Sequence, residues 1–154
     1  MLEKNRLFKN RKKFRPYNIL ENQNVVGEVF QTEIKKGLFS TQDYETCFYD
    51  GKWYNLYGMA IKGKGINVLY FGDVQLAQIE TDSVVYNDLH HYEIYAVNKD
   101  IAYISVLMSC FMYINACYEP GIKTTKSVSK SFSETKDKSL LEKYDPNWIK
   151  NLKE

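Results

Sequence analysis

The chain has 154 residues, 44% of them hydrophobic and 26% charged, with 3 Pro, 8 Gly and 3 Cys. That length suits one domain, and the composition excludes wholesale disorder, collagen-like repeats and Pro-rich segments. Its net charge of +2 conceals a division: residues 1–15 hold seven cations against Glu3, residues 16–118 hold six Lys against twelve acids, and residues 119–154 hold eight Lys against six acids. An acidic body is thus flanked by a strongly basic start and a weakly basic end.

An odd, low cysteine count argues against a disulfide framework. Cys110 and Cys117 would sit about two helical turns apart, roughly 10 Å, too far to be bridged. All three thiols are expected to be reduced and buried. The charged N-terminus is not followed by an apolar run, so no signal peptide is expected and a cytoplasmic location follows.

In chain order, residues 1–24 are polar and basic and are expected to be an arm or extended lead-in. The texture changes at Val25. Short β-branched and aromatic runs then alternate with turn residues. Strands are predicted at Val25–Thr32, Gly37–Ser40, Glu45–Tyr49, Trp53–Ile61, Ile66–Phe71, Val74–Glu80, Ser83–Tyr86 and His91–Val97. Asp50-Gly51 is a strong hairpin turn, since both residues tolerate positive φ; Gly63-Lys64-Gly65 and Gly72-Asp73 are expected to act likewise. In Val74–Glu80 the apolar faces are assigned to Val74, Leu76 and Ile79, against Gln75, Gln78 and Glu80. Leu69-Tyr70-Phe71 is apolar on both faces, as in a strand covered on two sides.

From Ile101 to Tyr118 there is no charge, Pro or Gly. Asn98 or Asp100 can cap the start of a helix there, and Pro120-Gly121 ends it. A helix apolar almost all round is either buried on all sides or spans a membrane. At 18 residues, with Ser105, Ser109 and Asn115 inside it, the run is at the short limit for a span. A helix inside a closed sheet would explain both the helix and the inner faces of the strands. Residues 119–138 are a polar linker by composition. Residues 139–154 then form an amphipathic tail, with Ser139-Leu140-Leu141-Glu142 as a capping box and Asp145-Pro146 as a second helix start.

The fold class is therefore mainly β (α+β): an antiparallel barrel of sequential hairpins around one buried helix, with a short helical tail. That arrangement resembles the tubby C-terminal-like superfamily, which includes tubby domains, plant LURP-one-related proteins, phospholipid scramblases and small bacterial relatives. The resemblance is carried by the segment from Ile66 to Ile79 (INVLYFGDVQLAQI), by Asp88 to Asn98 (DLHHYEIYAVN) and by the helix that follows. It implies a many-stranded barrel around that helix, and functions that range from phosphoinositide binding to lipid movement and plant defence.

Chemistry-bearing motifs are scarce. His90 and His91 are adjacent, so on a strand they point to opposite faces and cannot share a metal ion. No phosphate loop, paired-Cys site or nucleophile elbow is present. Asp43, Asp50, Asp73, Asp82 and Asp88 fall mostly at turns. Lys4, Arg6, Lys9, Arg11, Lys12, Lys13 and Arg15, interleaved with Leu7, Phe8 and Phe14, form a candidate anion- or lipid-binding set suited to an anionic membrane surface, and less to nucleic acid. Tyr144, Trp148 and Leu152, spaced by four, are candidate anchors for docking the tail into an apolar groove on this domain or on a protein partner. No cofactor, metal or catalytic residue is assigned. The expected function is a non-catalytic binding or regulatory module. The alternatives are a cytoplasmic, membrane-peripheral protein that uses the basic segment and, third, a hydrolase with a carboxylate site.

Overall fold

A computed structural model describes residues 2–4, 13–35, 41–62, 64–82, 84–85, 90–116, 128–129 and 137–152. The predicted strand 37–40 and the predicted helix end at Pro120-Gly121 lie outside them.

Eight strands form one antiparallel sheet. They are β1 (Leu2–Lys4), β2 (Lys13–Glu21), β3 (Asn24–Lys35), β4 (Thr41–Tyr49), β5 (Lys52–Ile61), β6 (Lys64–Phe71), β7 (Val74–Thr81) and, after the short β8 (Val84–Val85), β9 (Tyr92–Ala96). The order across the sheet is β1-β2-β3-β4-β5-β6-β7-β9, so each strand from β2 to β7 pairs with the one made just before it. Tight turns impose that order. Asp50 and Gly51 both adopt positive φ (49° and 71°), and Tyr49 pairs with Lys52 across them. This backbone matches the right-handed twist of the strands it joins.

Two turns differ from expectation. The β5–β6 turn is built at Lys62 (φ 51°), and Lys64 and Gly65 already belong to the ladder, opposite Ile61 and Ala60. Within the expected N-terminal arm, residues 2–4 and 13–21 are strands of the sheet, and Asn22 and Gln23 (φ 48° and 69°) turn β2 back onto β3. The alternating Tyr17, Ile19 pattern was outweighed by the surrounding charge. Ile19 is nevertheless fully buried.

The period-2 alternation of strands gives the sheet two faces. On the inner face, register puts Val29 opposite Cys47 and Cys47 opposite Tyr54; it also lines up Leu56, Leu69, Ala77 and Ala96 across four strands. Against this face packs α1 (Lys99–Ala116). Its start is capped by Asn98, whose Oδ1 accepts from the Ile101 N–H at 3.0 Å. Ile101, Ile104, Met108 and Phe111 make its buried stripe. The opposite side is not covered: Tyr103, Val106 and Cys110 are exposed. Burial on all sides is therefore corrected to burial on one side. The same finding corrects the expectation for the cysteines: Cys47 is buried and Cys110 is exposed, while Cys117 lies outside the described residues.

The outer face of β5–β7 is covered as well. Leu140, from α2 (Lys138–Lys143), packs with Met59, Ile66, Val68 and Tyr70, flanked by Tyr57, Ile61 and Tyr144. This cover changes the reading of β7: Gln75 and Gln78 are buried, while Val74 is 60% exposed at the hairpin end. The start of α2 is capped by Asp137, whose carboxylate accepts from the N–H groups of Ser139 and Leu140, two residues earlier than the expected Ser139 cap. A second short helix, α3 (Trp148–Leu152), follows Asp145, whose Oδ1 accepts from the Asn147 N–H at 2.8 Å. Within the expected linker, β10 (Val128–Ser129) pairs with β8, so that stretch is not a linker throughout.

Candidate functional site: an apolar cleft between the helix and the last strand

β9 stands last in the strand order, and α1 leans against it. Between them opens a cleft of about 670 Å³. One wall is His90, His91, Tyr92 and Ile94; the other is Val106, Ser109, Cys110, Tyr113 and Ile114 of α1. The helix residues recur at three and four, the spacing that puts side chains on one flank. Tyr92 and Ile94 share the inner face of β9 by alternation.

Polar groups in these walls are largely committed elsewhere. The Ser109 hydroxyl donates to the Ser105 carbonyl within the helix at 2.8 Å. His91 Nδ1 lies 3.3 Å from Asp82 Oδ2 at the exposed mouth. The His90 ring stacks on Tyr92 (6.3 Å, 15°) and meets Tyr113 edge-on (4.9 Å, 74°). Both histidines therefore line one cleft, contrary to their expected divergence, because they precede β9 and are outside its pleat. What remains facing the space is hydrocarbon, aromatic surface and the Cys110 thiol. A cavity of this volume falls in the range that holds small ligands.

A second cavity, of about 580 Å³, opens at the other end of the core around Glu21, Tyr49, Asp50, Lys52, Asn98 and Asp100. Here the Tyr49 hydroxyl donates to Glu21 Oε1 at 2.7 Å, and that bond, more than burial, pushes its pKa up to about 12. On β4, burial raises the Glu45 carboxyl to about 7, a backbone hydrogen bond opposes this, and the nearby Asp43 charge adds to it. The turn acids are scattered: Asp73 pairs with Lys143, Asp82 with His91, Asp50 sits in its turn, and Asp88 is outside the described residues. Among the described residues, no group of three or more His, Cys, Asp or Glu could hold a metal ion.

Three of the candidate lipid-binding cations fall on two neighbouring, paired strands. Lys4 falls in β1, Lys13 and Arg15 in β2, and Arg6, Lys9, Arg11 and Lys12 lie outside the described residues. Of the candidate tail anchors, Tyr144 donates to Gln78 Oε1 at 3.3 Å, and Trp148 and Leu152 are half-buried at the two ends of α3. Two residues not among those anchors also hold the tail: Leu140, four positions before Tyr144 and 5% exposed, and Lys143, which is off that spacing. The two-sided apolarity of β6 was the signal that something must cover its second face.

No family model, curated protein or solved structure matches this chain. No helix among the described residues is long and apolar enough to cross a membrane.

Proposed function

We propose that this protein is a non-catalytic binding module that takes an apolar small molecule, such as an acyl chain, between α1 and β9. The observation that carries this reading is the composition of the cleft. Beside His90, His91 and Cys110, its walls are Tyr92, Ile94, Val106, Tyr113 and Ile114, and its serine is already hydrogen-bonded within the helix. Val106 is 47% exposed inside it, an apolar side chain that a ligand would take out of water. The resemblance to tubby-like proteins belongs to the same proposal. What supports it is a run of hairpins that ends in an apolar helix seated on their inner face.

The test is titration with a fluorescent fatty acid, comparing the native chain with Val106→Glu. Val106 faces open space, so the variant should fold, while a carboxylate at that point opposes a hydrocarbon guest. The expected result is saturable binding that weakens at least tenfold in the variant. Equal binding by both proteins would remove the cleft from consideration. Sedimentation with anionic vesicles that depends on residues 4–15 would favour the membrane-peripheral alternative.

A further inference from the structure

We propose that the end of the sheet carrying the β2–β3, β4–β5 and β6–β7 turns docks on a phosphatidylcholine surface, and that the cavity of about 580 Å³ at that end takes the quaternary ammonium of the headgroup. Antiparallel pairing of successive strands puts those three turns at one end. The start of α1 joins them there, since the Val97 N–H donates to the Leu76 carbonyl at 3.1 Å. Five large apolar side chains are exposed at this end: Val25, Trp53, Phe71, Val74 and Val97. They border the cavity. Val25, Trp53 and Val97 adjoin its lining residues Val26, Lys52 and Asn98; the Phe71 ring lies 5.9 Å from the ring of Tyr54 in its wall, and Val74 is paired with Phe71. Carried on separate turns, these side chains project as single points. A bilayer interface accepts such points wherever they fall, and Trp is among the side chains most favoured there.

The cavity supplies the complementary charge. Glu21, Asp50 and Asp100 stand in its walls against Lys52. The Tyr49 hydroxyl donates to Glu21 Oε1 at 2.7 Å, the Tyr103 hydroxyl bonds to the same carboxylate, and the two rings lie 5.9 Å apart. Burial raises the Tyr54 hydroxyl, and the Asp50 and Asp100 charges add to it, so both carboxylates act on that ring. Val26, Ile101 and Ile104 complete the walls with hydrocarbon. Carboxylates, tyrosine rings and apolar walls together suit a trimethylammonium, a diffuse cation that donates no hydrogen bond and is drawn to ring faces. A primary ammonium needs several free acceptors, and Glu21 already accepts from two tyrosines. Lys52 is the lining residue that pairs with the phosphate. The same three carboxylates oppose a surface of anionic lipid. Two independent features, the apolar tips and the acid–tyrosine cavity, thus coincide at one end of the sheet and fit one zwitterionic headgroup.

The test is flotation of the full-length protein at high salt with vesicles of phosphatidylcholine or of phosphatidylglycerol. Trp148→Phe leaves Trp53 as the reporter. Phosphatidylcholine should be bound about tenfold more tightly or better, with a blue shift of Trp53 and quenching by brominated acyl chains. Glu21→Gln and Asp50→Asn, each at an exposed position, should weaken that binding severalfold, and Asn keeps the positive φ that the turn requires. Val74→Asp should weaken it as well. Failure to bind phosphatidylcholine, or equal binding to both lipids, overturns the proposal. Binding that is unchanged in both charge variants overturns the headgroup assignment. Free phosphocholine separates a lipid from a soluble ligand. It should compete with the vesicles; if it binds with the same dependence on Glu21 while the vesicles do not, the cavity serves a soluble choline ester and the membrane docking is overturned.

Discussion

Tyr70 and Lys143 are joined twice. The tyrosine hydroxyl donates to the lysine's backbone carbonyl at 3.3 Å, and the lysine ammonium stands 4.4 Å from the centre of the same tyrosine's ring. One fully buried side chain on β6 thus holds both the backbone and the charge of α2. Burial and the neighbouring tyrosines push the Tyr70 hydroxyl up to about 12, so it stays a hydrogen-bond donor throughout the neutral range.

Leu140 is the apolar partner of that arrangement, and its burial contributes on the order of 2 kcal/mol. Leu140→Asp should release the tail without unfolding the sheet. In a Trp53→Phe background, Trp148 emission should shift to the red and acrylamide quenching should rise. Unchanged emission would mean that α3 is held by contacts of its own.

The two described cysteines should differ sharply in reactivity. Burial, with the Glu28 charge adding, raises the Cys47 thiol to about 12, whereas Cys110 is exposed on the cleft wall. In a Cys117→Ser background, a maleimide at pH 8 should label one site, Cys110, and reach Cys47 only after denaturation. An apolar ligand in the cleft should slow the labelling of Cys110. Labelling that is unaffected by saturating fatty acid would place the ligand elsewhere.

Glu45 should make stability depend on pH in the direction opposite to most carboxylates. Burial raises its pKa in the folded protein to about 7, above the ordinary glutamate value of 4.5. The folded state therefore holds the proton more tightly than the unfolded state. Stability should be greatest below about pH 4.5 as far as this group is concerned, fall as pH rises toward 7, and level off above it. The loss should be on the order of 1–3 kcal/mol. Glu45→Gln should abolish that slope and be the more stable protein at pH 8. Urea unfolding at pH 5 and pH 8 measures both; a wild-type slope retained in the variant would assign the dependence to another group.

Gly27 has a steric role. A Cβ there would press into the Phe48 backbone carbonyl oxygen and crowd Ile19 Cδ1. Neither neighbour can give way, because Phe48 is held in the β3–β4 ladder and Ile19 is in the core. Gly27→Ala should cost about 1–3 kcal/mol by thermal or urea unfolding. A neutral result would show that β3 and β4 can part locally at that point.

Ser105 is fully buried on α1, and its hydroxyl donates to the Ile101 carbonyl of the same helix at 2.8 Å. Ser105→Ala should therefore change stability by less than about 1 kcal/mol. Ser105→Lys should unfold the domain, since an unpaired buried charge costs several kcal/mol against a total of about 5–15 kcal/mol. A folded, monomeric Ser105→Lys protein would mean that the helix can roll its inner side toward water.

Much of the sheet was legible because local chemistry and global pairing agree. Asp50-Gly51 dictates its hairpin, and the runs around Trp53, Ile66 and Val74 have the right length and alternation. The strand at Lys13–Glu21 was hidden because cations dominate its start, while the pairing that stabilises it lies on β3, beyond any local window. The inward turn of Gln75 and Gln78 was unreadable for a related reason: the tail that buries them arrives some seventy residues later. The uniform apolarity of α1 masked a difference between its sides. Val106 and Cys110 are chemically similar to Met108 and Ile104, and position alone decides which of them meets the sheet. That same uniformity is why the cleft could not be foreseen.

The hairpin-by-hairpin strand order also sets a sequence of events during synthesis. From β2 through β7, each strand finds its partner already made, so pairing can advance along the emerging chain with little loop closure at each step. The inner face waits only for α1, which follows β9 directly. The outer face of β5–β7 waits much longer: Val68 and Tyr70 lie open until residues 138–143 have left the ribosome. For that interval the nascent protein carries an uncovered apolar strip on an otherwise paired sheet, the kind of surface that holdase chaperones bind and that neighbouring nascent chains on one messenger could share.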